Sequence, residues 1–145
     1  MRCATSGRCG GEMISLDTNV ILSAFDPLDG LHAQALEVLD RIHSEPRVIC
    51  PVVYAELRAS GEWEGLELFL ERAAVDVLWE MPEAVWERAG MAMGEYVRLR
   101  RGGTLPRRVV ADFLIGAHAE YHGLAVATFD RVVYEAAFPK VQLFP

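Results

Sequence analysis

The sequence predicts an α/β protein, a three-layer α/β/α arrangement around a central parallel sheet of four to five strands. Three observations carry that expectation. Short, mostly apolar runs recur at 13–16, 48–50, 75–78, 124–128 and 141–144. The longer segments between them place apolar residues at helical spacing, and proline or glycine punctuates many of the junctions. Strands that alternate with helices run parallel, because each crossover returns the chain to the same edge of the sheet.

Met13-Ile14-Ser15-Leu16 is the first strand, and an apolar helical run at 20–25 follows almost at once. Residues 31–43 carry Leu31, Ala35, Leu36, Leu39 and Ile42 on one helical stripe, ended by Ser44-Glu45-Pro46. Val48-Ile49-Cys50 reads as a short buried strand. Pro51 suits the first turn of a helix that runs through Leu57 to the break at Ser60-Gly61. A further helix at 62–73 puts Trp63, Leu66, Phe69 and Leu70 on one face. The third strand, 75–78, is stopped by Pro82. Pro82-Glu83 then opens a long helix through Val85, Trp86, Ala89, Met93, Tyr96 and Val97, ended by Gly102-Gly103. After the loop at 104–106 come a helix at 108–122 closed by Gly123, the strand 124–128, a short helix at 131–137 and the strand 141–144. No internal repeat and no low-complexity segment interrupts this order.

A chain of 145 residues, 52% hydrophobic and 24% charged, is expected to fold as one domain with a sizeable core. Residues 13–145 form that domain, and 1–12, with Gly7, Gly10 and Gly11, read as a flexible leader. No apolar run approaches bilayer length, and the first residues lack a secretory apolar core, so a cytoplasmic protein without a membrane span is expected. Three cysteines argue against a disulfide scaffold. Cys50 reads as a small buried residue, while Cys3 and Cys9 have no histidine nearby to complete a zinc site. The net charge of −7 speaks against nonspecific nucleic-acid binding by the whole surface, but leaves room for a local basic patch.

Four carboxylates stand out. Asp17 follows the first strand directly, and ligands of open parallel sheets bind beyond the carboxyl ends of strands. On its own it is equally what a helix N-cap looks like. Asp130 repeats the pattern after 124–128, with Thr128 placed to orient it. Glu56 lies on the helix after the second strand, where an exposed residue paired with arginine is the plainer reading. Asp112 sits among Val109, Val110, Phe113, Leu114 and Ile115, so a partly buried carboxylate in need of a partner is expected. Its helix face also holds Gly116 and Ala119, small residues past which neighbouring backbone can approach. One shared site accounts for all four acids together.

Leu16-Asp17-Thr18-Asn19, Ala55-Glu56-Leu57, Ala111-Asp112-Phe113-Leu114-Ile115-Gly116-Ala117-His118-Ala119 and Ala127-Thr128-Phe129-Asp130-Arg131 resemble the four motifs of PIN domains. The resemblance is closest to the VapC-like toxins of bacteria and archaea, and it spans 13–145. It implies a parallel sheet between helices and a Mg²⁺- or Mn²⁺-dependent endoribonuclease leaving a 5′-phosphate and a 3′-hydroxyl. It further implies that Asp17, Glu56, Asp112 and Asp130 are the catalytic, metal-binding acids, with Asn19 and Thr128 as supporting polar groups. A homodimer and a cognate antitoxin come with the same resemblance. Phe129 departs from the polar or basic residue of many relatives, which bears on substrate preference. Hard oxygen ligands suit Mg²⁺ or Mn²⁺, which keep waters and bind through a few carboxylates plus phosphate.

Arg98, Arg100, Arg101, Arg107 and Arg108 gather around Gly102-Gly103. They read either as a solvated cluster or as a backbone-phosphate patch, with Arg131 a further phosphate contact. His118 and His122, one helical turn apart, would suit zinc, but no third ligand is evident. An aspartate-dependent phosphatase also begins with an acid after its first strand, yet wants a second Asp where Asn19 stands. A non-catalytic module binding RNA or protein is the remaining alternative.

Overall fold

The computed structural model describes residues 12–145, so all but the last residue of the expected leader, with Cys3 and Cys9, lies outside the described residues. Five strands of the described residues form one sheet: β1 (Ile14–Leu16), β2 (Arg47–Ile49), β3 (Val75–Val77), β4 (Ala125–Ala127) and β5 (Leu143–Phe144). Their order is β3-β2-β1-β4-β5 and every pairing is parallel. Ile14 is in register with Arg47 on one side and Ala125 on the other, which makes β1 the central strand. Among the described residues seven helices join and cover the strands: α1 (Thr18–Phe25), α2 (His32–Arg41), α3 (Pro51–Arg58), α4 (Trp63–Arg72), α5 (Glu83–Arg101), α6 (Val110–His122) and α7 (Val132–Ala137). The result is the expected three-layer α/β/α fold.

Burial on both faces explains why such short strands hold. Ile14, Leu16, Ile49, Val126 and Ala127 are all buried, as a parallel sheet covered by helices requires. α1 packs on α2 and α3, α5 runs along α6, and both α5 and α6 meet α7. Tyr96 of α5 meets Phe113 of α6 edge to face at 5.3 Å, and its hydroxyl donates to the Pro106 carbonyl at 2.7 Å. That bond pins the loop after α5 to the core. Among the described residues, no helix is long and apolar enough to cross a membrane.

Several boundaries and one face differ from the sequence reading, each for a local reason. Thr18 and Asn19 already belong to α1, because Asp17 caps it in extended geometry and accepts from the Thr18 N–H at 2.8 Å. Cys50 is not in β2 but is the N-cap of α3, with Pro51 behind it. It is buried as expected, and burial pushes its thiol up to about 11. In α2 the buried stripe is Ala35 and Val38, continued by Ile42, while Leu31 and Leu36 are exposed. α6 begins at Val110, after an extended Val109, and ends at Gly123, whose φ of +66° is the left-handed closure that favours glycine. At Gly116 the close neighbour is a side chain and not backbone: a Cβ there would stand 2.3 Å from the Phe138 ring.

Candidate active site

Leaving β1, the chain builds β2 and β3 on one side and later returns to build β4 and β5 on the other. The carboxyl ends of β1 and β4 are therefore the point where the strand order reverses, and the helices leaving it part to form a crevice. Asp17 follows β1 and Asp130 follows β4. Glu56 comes in on α3, which leaves the adjacent β2, and Asp112 comes in on the first turn of α6. All four carboxylates, with Asn19 and Tyr134, line one cleft of about 250 Å³.

A hydrogen-bond network holds the acids from behind. Asp17 Oδ2 accepts from the Thr128 hydroxyl at 2.8 Å and from the Tyr134 hydroxyl at 3.0 Å. Thr128, buried under the cleft, also accepts from the Asp130 N–H at 3.0 Å, so one hydroxyl ties the turn after β4 to Asp17. Asn19 Oδ1 accepts from the Phe129 N–H at 3.1 Å, and its amide nitrogen reaches Thr128 at 3.4 Å. Asn19 is thus committed to bracing the β4–α7 turn. The Thr18 hydroxyl donates to Glu56 Oε1 at 2.6 Å, linking the first turn of α1 to α3. The Asp112 carboxylate reaches back to the Val109 N–H at 3.4 Å.

Burial shifts the chemistry of two of these acids. It raises the Asp17 carboxyl above its ordinary value, and nearby Glu56 adds to the rise, while the bonds from Thr128, Tyr134 and Thr18 pull the other way. Asp112 is raised by burial too, with Asp130 adding and the Val109 N–H and Arg108 opposing. Two carboxylates that are costly to ionise, beside two more, make a site that favours a cation. The donor set is all oxygen, which fits Mg²⁺ or Mn²⁺. Among the described residues no group of three or more histidine, cysteine, aspartate or glutamate side chains is gathered closely enough to hold a metal ion by itself. Mg²⁺ does not require one, since it binds through one or two carboxylates and completes its octahedron with waters and phosphate.

The profile of the PIN domain matches residues 14–139, a span that holds all four acids and every partner just described. The chain belongs to the PIN domain family. Solved PIN-like structures share its fold. FitAcB from Neisseria gonorrhoeae is similar at a TM-score of 0.65 and 24% identity, over 92% of this chain and 97% of that one. DNA-bound VapBC from Salmonella typhimurium gives 0.64 and 22%, again over 92% and 97%. VapC20 from Mycobacterium tuberculosis, described as a sarcin-ricin loop cleaving toxin, gives 0.59 and 18%, over 86% and 95%. No curated protein matches the chain in sequence.

Around the PIN cleft the arginines divide. Arg108 is at the site: its guanidinium pairs with Asp130 Oδ2 at 2.9 Å. Arg131, although next to Asp130 in sequence, turns away to Glu135 at 3.0 Å and to the Pro145 carbonyl at 2.7 Å. Arg100 and Arg101 end α5, Arg107 is exposed in the following loop, and Arg98 pairs with Glu95. The histidine pair is structural. His118 and His122 lie 4.6 Å apart, and each spends its Nε2 on a carbonyl after β3, Leu78 and Glu80 respectively. Tyr134 is the site residue the sequence reading missed. It stands on α7, four residues after Asp130, where an aromatic side chain reads as core.

Proposed function

We propose that this PIN domain is a divalent-metal-dependent endoribonuclease, the toxin of a VapBC-type toxin–antitoxin pair, acting in the cytoplasm. The observation that carries the reading is the convergence of Asp17, Glu56, Asp112 and Asp130 on one cleft at the point where the strand order reverses. These four would hold Mg²⁺ or Mn²⁺. When bound, such an ion supplies an acidified water and offsets charge on the scissile phosphate and its leaving oxygen. The chain's own residues set the geometry. Thr128 and Tyr134 fix Asp17, Thr18 holds Glu56, and Asn19 braces the turn that presents Asp130. Cleavage of a single-stranded or looped RNA in Mn²⁺, measured beside the same reaction in excess EDTA, tests the reading. Equal rates in both would sink it. A non-catalytic RNA- or protein-binding module is the second reading, favoured by the Arg108–Asp130 pair, which neutralises one of the four acids. The same assay separates the two.

Five arginines are the proposed grip on the RNA backbone. Arg100, Arg101 and Arg107 stand near the loop that leads into the Asp112 helix, with Arg108 beside Asp130 and Arg131 beyond it. Neutralising Arg100 and Arg107 together is expected to weaken RNA binding and flatten the slope of log affinity against log salt. Two phosphate contacts on a single strand correspond to a change of roughly 1.4 in that slope. An unchanged slope assigns the cluster to solvent or to a protein contact.

Partners follow from the same reading. VapBC and FitAcB are similar to this chain in fold, and a further such neighbour is a toxin–antitoxin complex from Klebsiella pneumoniae. Trp86, Met91, Leu99 and Tyr121 are exposed on α5 and α6, apolar surface suited to a protein contact. A homodimer is expected, with a small antitoxin whose C-terminal segment covers the acids. Sedimentation of the chain, alone and with the product of a neighbouring small gene, tests both. A monomer at high micromolar concentration with no inhibitory partner would count against them.

A further inference from the structure

We propose that Tyr134 is a positioning residue that turns Asp17 into a one-oxygen ligand, leaving a single lone pair of Oδ1 for a divalent cation. The inference rests on the metal-dependent reading above and adds a residue to it. A carboxylate offers about four lone-pair sites. Here Oδ2 accepts two hydroxyls, Thr128 at 2.8 Å and Tyr134 at 3.0 Å, and Oδ1 accepts the Thr18 N–H at 2.8 Å. Three of the four sites are taken, and the one left is on Oδ1.

The two hydroxyls are not equivalent. Thr128 has a second acceptor within reach, the Asp130 carbonyl at 3.1 Å, so its proton can be shared. The phenol has no second acceptor among its hydrogen bonds in the described residues, and its ring is buried, with Asp17 Oδ2 as its only partner. It also arrives on the same segment as Asp130: α7 starts two residues after that acid, and Asp130 Oδ1 accepts from the Val132 N–H at 3.3 Å. The segment from Thr128 to Tyr134 therefore sets two acids at once, Asp130 directly and Asp17 through its hydroxyls. Without the phenol, Oδ2 keeps only the Thr128 hydroxyl, whose proton can also turn to the Asp130 carbonyl, so one lone pair of Oδ2 opens and Asp17 is held less firmly in direction.

Tyr134→Phe keeps the ring and removes only the hydroxyl. Mn²⁺ binding, read as the loss of the free-ion EPR signal, is expected to weaken about tenfold or more, in line with losses at groups that orient metal ligands. The kcat for RNA cleavage should fall by a similar factor while KM for RNA stays the same. A role in packing alone predicts a lower melting temperature in EDTA with unchanged Mn²⁺ affinity, and that result overturns the proposal. Wild-type protein that binds no Mn²⁺ overturns it together with the metal-dependent reading. Weakened Mn²⁺ binding in Tyr134→Phe, in a protein that cleaves no RNA, sustains the positioning role and removes only the nuclease.

Discussion

Replacing Asp17 by asparagine is expected to lower RNA cleavage in saturating Mn²⁺ by about a hundred- to a thousandfold. A bound cation supplies several kcal/mol of charge stabilisation in the transition state, and each 1.36 kcal/mol is a factor of ten in rate. Asp17 sits at the centre of the sheet's carboxyl edge and is held by three donors, so the site loses its best-fixed oxygen. The substitution changes little in shape, but it does leave a donor–donor conflict. An amide nitrogen in place of Oδ2 would face two hydroxyl donors, and only Thr128 has another acceptor close by, the Asp130 carbonyl. Circular dichroism and a melt of the variant therefore accompany the rate measurement. A folded Asp17→Asn protein that cleaves at the wild-type rate shows that Asp17 is not a catalytic acid, whatever the cleft binds.

The fold was legible because a parallel sheet buried on both faces writes itself as short apolar runs, and because Pro51, Pro82 and Gly123 mark helix ends. What failed to show were choices made by tertiary packing. The stripe of α2 turned from Leu36 to Val38, since both residues give an apolar helix and only the neighbouring helices decide which face is covered. Gly116 is small to admit the ring of Phe138, the residue that caps the C-terminus of α7, a partner distant in sequence and unknowable from helix spacing. At the site, Asp17 and Asp130 were visible because acids at strand ends are conspicuous. Tyr134 was not, because a tyrosine on a short apolar helix reads as core, and it is core except for one oxygen. Proximity in sequence also misled: Arg131 adjoins Asp130 but is drawn off by Glu135 one turn on, and the cation that reaches Asp130 is Arg108 from the loop before α6.

Asp112→Asn is expected to leave the metal-free protein as stable as wild type or more so at neutral pH, while removing most of the stabilisation by Mn²⁺. Burial raises the Asp112 and Asp17 carboxyls above the ordinary 3.8, so the folded apo chain binds protons more tightly than the unfolded one. The stability they contribute is fully present below 3.8 and is lost as pH rises through the raised folded values. Ionising either carboxyl in the folded apo site carries the cost of burial, and a neutral isostere at position 112 relieves its share. The Val109 N–H at 3.4 Å and the charge of Arg108 oppose this, but burial is the larger effect. A divalent ion that binds only the folded site would reverse the penalty. At a hundred times its dissociation constant it adds about 2.7 kcal/mol, or roughly 8 °C in melting temperature for a chain of this size. Melts of wild type and Asp112→Asn, each in EDTA and across a Mn²⁺ titration, give both numbers, and repeating the EDTA melts as pH is lowered from 7 toward the raised folded values should raise the wild-type midpoint more than the mutant's. If Asp112 serves only its helix, the mutant instead loses about 1 kcal/mol without metal and keeps the full Mn²⁺ shift. That pattern removes Asp112 from the cation site and leaves the shared-site reading with three acids.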